Sequence, residues 1–233
     1  MQKFDPHKFW KDPSQASKEI RSYMEGRLFK WAQPKFYLDK IKYSGIIIGA
    51  MDKYAQKDWS ILEVGSGTGR NLADLIKHGY TNVRGIEINQ RAIDLGVETF
   101  PELEGVEMVC GTLEDTIKDT PAADVIFSRG CLMHLPYESD WVWKVLAAKA
   151  VKMIVTSDDE ENEFEQMHKY ARNYKEIFEK LGFLEVEMET CEIYPPLPAS
   201  TIKRVFLRVD SQKEEPVKIS PAKKKGKSRK VRT

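Results

Sequence analysis

The stretch Ile61-Leu62-Glu63-Val64-Gly65-Ser66-Gly67-Thr68-Gly69-Arg70-Asn71-Leu72 constrains the fold more than any other part of the chain. It opens on a short apolar run, the mark of a buried strand, and then meets three glycines within five residues. Leu72, Leu75, Ile76 and Tyr80 follow at helical spacing. A strand that turns through glycine into a helix is the opening of an α/β unit. Without Cβ atoms, the glycines take left-handed backbone angles and let a ligand lie against bare peptide. The helix N-terminus aims free N–H groups at that ligand, which favours a carboxylate or phosphate there.

Glycine spacing narrows the ligand. Dinucleotide sites use G-x-G-x-x-G, whereas Gly65, Gly67 and Gly69 make G-x-G-x-G, which speaks against an oxidoreductase. Glu63 precedes the turn. A second apolar run, Val83 to Ile88, carries Glu87, 22 residues beyond Gly65. One strand–helix–strand unit needs about that length, so Glu87 ends the second strand, where an acid accepts hydrogen bonds from two ribose hydroxyls. LEVGSGTGRNL followed by VRGIEIN resembles motifs I and II of the class I S-adenosylmethionine-dependent methyltransferases. The likeness runs over about residues 59–209; it is specific for cofactor and fold and unspecific for substrate.

That resemblance implies an enzyme on a Rossmann-like doubly wound α/β sheet of seven strands, order 3-2-1-4-5-7-6, with strand seven antiparallel. It implies S-adenosylmethionine as cofactor, held by Glu63, Gly65, Ser66, Gly67, Gly69, Asn71, Glu87, Ile88, Thr112, Leu113 and Ser128. Thr112 stands where the family often has an acid for the adenine amino group, with Glu114 or Asp115 as substitutes. The backbone of Leu113 is an adenine neighbour, and Ser128 falls near the methyl donor. Thr112 followed by Asp115 also has the spacing of a helix cap.

Further strands are expected at Val106 to Cys110, Ala123 to Phe127, Val151 to Val155, Phe183 to Glu192 and Ile202 to Val209. Helices are expected at about Gln90 to Glu98, Ser139 to Lys149 and Phe164 to Leu181. Ligands in such sheets sit beyond the carboxyl ends of the strands, so Ser128 to Pro136 lines the site. His134 is the histidine placed where catalysis can use it, as a general base or as a buried, hydrogen-bonded ring. The Asn/Asp-Pro-Pro-Tyr/Phe motif of exocyclic amino methyltransferases of bases is absent, as is a Pro-Cys nucleophile. Cys131 follows a glycine and is read as a buried thiol. The run Ser157 to Asn162 is read as a solvated loop, with an acidic rim for a cationic substrate as the other reading.

Residues 1–58 are rich in aromatics and carry two expected helices, Ser17 to Trp31 and Phe36 to Tyr54. They read as a helical cap or lid, with Arg21, Tyr23 and Arg27 able to reach cofactor or substrate. Residues 59–210 form the cofactor-binding domain. Residues 217–233 hold eight of the 37 Lys and Arg and no acid, which leaves 29 basic against 36 acidic residues in 1–216. The segment 211–233 lacks apolar periodicity and reads as a disordered basic tail. It offers weak contact to nucleic acid or an acidic partner through phosphate-type pairing.

Three scattered cysteines and no ligand spacing point to a reducing cytoplasmic setting and to no metal. Ile46 to Ile48 is too short to span a bilayer, and the N-terminus has no apolar signal region. The expected activity is methyl transfer to a hydroxyl, amine or carboxylate, most simply on a small molecule. An RNA- or protein-directed enzyme docked by the tail and a non-catalytic binding module are the alternatives.

Overall fold

The computed structural model describes residues 5–12, 34–38, 44–161, 169–192 and 200–209. Helix α1 (Pro6–Lys11) comes first, capped by the Asp5 side chain, with proline in its first turn, where no N–H is needed. A 3₁₀ turn at Pro34–Tyr37 precedes α2 (Ser44–Tyr54). The core unit is β1 (Ile61–Val64), α3 (Arg70–Lys77), β2 (Val83–Glu87), α4 (Gln90–Thr99) and β3 (Met108–Cys110). It continues through α5 (Leu113–Thr116), β4 (Ala123–Arg129), α6 (Val142–Lys149) and β5 (Ala150–Asp158). The last elements are α7 (Tyr174–Lys180), β6 (Phe183–Glu192) and β7 (Ser200–Arg208).

The strands form one sheet of order β3-β2-β1-β4-β5-β7-β6. Strands β1 to β5 are parallel, and β7 runs antiparallel to both β5 and β6. This is the order the family resemblance implied. Alternate residues of each central strand go to opposite faces. Leu62, Val64, Ile126, Ile154 and Phe206 pack with Trp143, Leu146, Tyr174 and Phe178 on one side. On the other side Ile61, Val125, Phe127, Val155 and Val205 pack with Ile47, Met51, Leu72 and Tyr80. Both faces are dry, which is why these strands read as continuous apolar runs.

Several boundaries differ from expectation, each for a local reason. Of the helix expected over 36–54, residues 44–54 are helical, while Pro34 opens a tighter turn that Leu38 N closes on Lys35 O; residues 39–43 lie outside the described residues. The helix expected from Phe164 starts at Tyr174, because the Asn173 side chain accepts from Glu176 N and caps it there. Residues 162–168 lie outside the described residues, as do Arg21, Tyr23, Arg27, the helix expected over 17–31 and the tail. The helix expected from Ser139 begins at Val142, after a 3₁₀ turn at Tyr137–Ser139. β5 runs to Asp158, three residues beyond Val155, because it pairs with β4 to Ser157 and with β7 to Asp158.

Candidate active site

The glycine loop adopts the backbone its sequence demands. Gly65, Gly67 and Gly69 have φ of 70°, 57° and 69°, in the left-handed region. Gly65 N and Ser66 N both donate to Ile86 O, at 2.9 and 3.0 Å, and fasten the loop to the end of β2. Gly69 N donates to Ser66 O, and α3 begins at Arg70. On the far side, α4 presents Gly96 to the loop. A Cβ there would meet Thr68 O at 2.0 Å, so helix and loop touch backbone to backbone.

Two acids flank this loop and are held differently. Glu87 ends β2, and its carboxylate accepts Gly67 N at 2.7 Å and Asn89 N at 2.9 Å. It thereby spans the loop and the start of α4, and each oxygen keeps a lone pair for a hydroxyl. Burial pushes its carboxyl up while these backbone N–H groups pull it down. Glu63, on β1, is 1% exposed and accepts Asn71 Nδ2 at 2.6 Å. Ser44 Oγ donates to Asn71 Oδ1 at 2.9 Å, so the first residue of α2 is tied to the motif. Glu63 Oε2 is buried and has no hydrogen-bond partner among the described residues. Desolvation raises the Glu63 carboxyl to about 8.

The adenine-side residues cluster after β3. Thr112 Oγ1 accepts Asp115 N at 3.1 Å and caps α5, while Leu113 is buried against the core. Ile88 is half-buried beside Glu87. Glu114 faces away toward α1: its Oε1 lies 2.9 Å from His7 Nε2 and accepts Ser139 Oγ at 2.6 Å. Ser128 is the penultimate residue of β4, 1% exposed, and its Oγ has no partner among the described residues. The buried orphan acceptor at Glu63, in the strand that leads into the bare glycine loop, fits a ligand with a charged amino end.

The turn after β4 closes the site. Leu132–His134 is a 3₁₀ turn, and Asp158 Oδ1 accepts Met133 N at 3.3 Å from the end of β5. Desolvation raises the Asp158 carboxyl to about 7. The His134 ring lies 4.6 Å from that of Trp10, tilted by 46°, so α1 meets it from above. Cys131, half-buried, packs on Gly65: a Cβ on that glycine would stand 2.4 Å from both its Cβ and its Sγ.

Within the acidic run, Ser157 to Glu160 are not a solvated loop, whereas Glu161 is exposed. Asp158 is fully buried, Asp159 is 4% and Glu160 9% exposed. Lys169 Nζ sits 2.6 Å from Asp159, and the Arg204 guanidinium donates to both Glu160 oxygens at 2.7 and 2.9 Å. Partners distant in sequence neutralise these acids, and a buried acid needs such pairing. Arg172 is a further residue the sequence reading missed. It donates to Leu135 O at 2.8 Å and to Asp140 Oδ1, while Tyr170 N donates to Met133 O. His7 and Trp10 were missed as well. Their signal was Asp5-Pro6, a cap followed by proline at the first helical position. Among the described residues no group of three His, Cys, Asp or Glu could hold a metal ion. No described helix is long and apolar enough to cross a membrane.

Comparison with known proteins agrees with this geometry. The family described as "Methyltransferase domain" matches residues 61–154, from β1 into β5. EEF1A lysine methyltransferase 2 of Mus musculus is 38% identical over 58 residues, 25% of this chain and 23% of that protein. Desmethylxanthohumol 6'-O-methyltransferase of Humulus lupulus is 32% identical over 73 residues, 31% of this chain and 19% of that protein. The chain thus matches about a fifth to a quarter of the length of these curated relatives. Among solved structures, magnesium protoporphyrin IX methyltransferase from Synechocystis PCC 6803, with bound S-adenosylmethionine, superposes with a TM-score of 0.62 at 12% identity. That match covers 89% of this chain and 99% of that one and shows the shared fold. The motif, the strand order and the match over residues 61–154 agree: this part of the chain is similar to the methyltransferase-domain family.

Proposed function

We propose that the chain is an enzyme that transfers a methyl group from S-adenosylmethionine to an oxygen, nitrogen or carboxylate acceptor on a small molecule. The observation that carries this is the combination of Glu87, bonded to the glycine loop, with Glu63, whose buried Oε2 has no partner among the described residues. The cofactor supplies a methyl already activated on a positive sulfur. The chain's own residues do the holding. Glu87 would accept the ribose hydroxyls, Glu63 Oε2 would take the methionyl amino end, and the backbone of Leu113 would border the adenine. Ser66, Asn71, Ile88 and Thr112 would shape the same walls, and Ser128 would fall near the methyl donor. Positioning and exclusion of water alone supply about 7–11 kcal/mol of barrier lowering. His134 is the base we assign for a protonated acceptor, worth roughly 10²–10⁴-fold.

Residues 1–58 serve as the cap in this reading. Contacts of α1 with Glu114 and His134 support it, since they place α1 across the rim formed by the ends of β3 and β4. A covered rim suits a small acceptor. The basic tail favours a second reading, an RNA- or protein-directed enzyme docked by residues 211–233. Three free thiols suit a reducing cytoplasm.

Calorimetric titration tests the core of the proposal, using S-adenosylmethionine, S-adenosylhomocysteine and NAD with the full chain and with Glu87→Ala. Micromolar binding of both sulfur ligands, weakened in the variant and absent for NAD, is expected. Absence of both would replace the enzyme by a non-catalytic interaction module. Acceptor screening with and without residues 211–233 then separates the small-molecule reading from the docked one.

A further inference from the structure

We propose that α1 is a strap across the mouth of the cofactor site and that the contact of His7 with Glu114 is its pH-sensitive bolt, firm in mildly acidic solution and loosened above neutrality. The inference rests on reading the glycine loop and Glu87 as the cofactor site. α1 touches three elements in turn. His7 Nε2 lies 2.9 Å from Glu114 Oε1 on α5. The Trp10 ring lies 4.6 Å from the His134 ring in the turn after β4. Asp12, at the C-cap of α1, stands 3.7 Å from Arg91 in the first turn of α4. These elements follow β3, β4 and β2, so α1 crosses the carboxyl ends of all three strands, where ligands of such sheets lie. Phe9, 4% exposed, anchors the strap, and Trp10 Nε1 is a buried donor with no partner among the described residues. In this reading a ligand held by Glu87, at the end of β2, must pass α1 to leave.

The bolt has one fixed half and one titrating half. Glu114 Oε1 also accepts Ser139 Oγ at 2.6 Å, and its side chain is 14% exposed, so the body of the fold positions the acid. Burial raises its carboxyl, but the hydrogen bonds from His7 and Ser139 outweigh burial and hold the group below its ordinary value. It therefore stays charged from mildly acidic pH upward. His7, 40% exposed, is the half that changes. Its hydrogen bond to Glu114 raises the imidazole above its ordinary value, partial burial opposes this, and the charges of Glu114, Asp5 and Asp115 add to the rise. The charged groups acting on it are thus acids, two on α5 and one at the cap of α1. A raised histidine contributes its ion pair fully below its free value and loses it as pH rises through the raised one. Beyond that point a neutral ring keeps a hydrogen bond to Glu114 without the added strength of a charged donor.

The test compares the full chain with His7→Gln, whose side chain can still donate to Glu114 but carries no titrating charge. Amide hydrogen exchange of residues 5–12, corrected for its intrinsic rate, reads the strap in ligand-free protein. Surface plasmon resonance on the immobilised chain reads dissociation of S-adenosylhomocysteine. Both are measured at about pH 6 and about pH 8.5, a range that brackets histidine titration. Losing a partly exposed charged pair should speed α1 exchange and ligand dissociation about three- to fivefold over that range in the parent, beyond any change in His7→Gln. Contributions of Glu63 and His134 are common to both proteins and cancel in the comparison. The same pH ratio in both proteins overturns the proposal. So does an exchange ratio that differs while the dissociation ratio does not, since α1 then titrates without gating the ligand. A chain that binds no S-adenosylhomocysteine at either pH is a different result: it removes the cofactor reading, and the strap's role falls with it.

Discussion

Gly96 offers a sharp test of the contact between α4 and the glycine loop. Alanine normally stabilises a helix interior over glycine by about 0.8–1 kcal/mol. At Gly96 the added Cβ would lie 2.0 Å from Thr68 O and 2.7 Å from Thr68 C. An ordinary carbon–oxygen contact is about 3.3 Å, so helix and loop must part by about 1.3 Å. Both atoms met are backbone, and no rotamer change relieves them. Overpacking of this kind costs about 1–3 kcal/mol, here at the upper end, which leaves Gly96→Ala destabilised by about 2 kcal/mol after the helix gain. Gly49, exposed on α2, has nothing within 4 Å of its own Cβ site, so Gly49→Ala should gain about 0.5–1 kcal/mol. Urea denaturation of the two variants should therefore move in opposite directions. Parting the loop also shifts Thr68 and Gly67, whose N–H holds Glu87, so Gly96→Ala should lose about tenfold in S-adenosylhomocysteine affinity. A Gly96→Ala protein as stable as the parent, with unchanged affinity, would refute the backbone contact and the reasoning built on it.

Other perturbations follow from the buried acids. Glu87→Gln replaces one acceptor by an NH₂ that faces the N–H of Gly67 or Asn89, and should weaken S-adenosylhomocysteine by about 10–100-fold in calorimetry; an unchanged affinity counts against the ribose role. Arg204→Leu leaves Glu160 and Glu185 facing each other without their shared cation, and should cost about 3–5 kcal/mol in urea denaturation. A loss below about 1 kcal/mol would show the pair to be a surface one. Glu63 and Asp158 both have folded values raised by burial, to about 8 and about 7. A raised carboxyl favours the fold fully below its unfolded value and loses that contribution as pH rises through the folded one. Stability should thus fall between about pH 4 and pH 8, and the combined Glu63→Gln, Asp158→Asn protein should show a flatter profile; a parent more stable at pH 8.5 than at pH 5.5 would contradict this.

The parts of this molecule written into local sequence were readable without coordinates. Gly65, Gly67 and Gly69 must take positive φ, and Glu87 must follow at one strand–helix–strand length, so loop and partner acid came together, while the strand order came from the family resemblance. What escaped depends on partners far along the chain. Asp159 and Glu160 look like a solvated run because Lys169 and Arg204, the cations that let them be buried, stand 10 and 44 residues away. Periodicity cannot show that Asp158 holds Met133, since no pattern links β5 to the turn after β4. The capping role of Asn173 also outweighed an apolar spacing that favoured an earlier helix start. Trp10 against His134 combines two residues 124 apart. The Asp5-Pro6 cap announced the helix but not the site it reaches.

The place of β7 has a consequence for synthesis. It lies between β5 and β6 although it follows both in the chain. On the ribosome, β5 therefore presents an unpaired edge, with Met153, Val155 and Ser157 awaiting Leu207, Val205 and Lys203. The sheet cannot close until the codons for Ser200–Arg208 have been translated and the segment has cleared the exit tunnel. Glu160 is likewise without its cation until Arg204 emerges. Translation stalled in that interval would release a chain with a sticky strand edge and an uncompensated charge, a species open to aggregation and to chaperone capture.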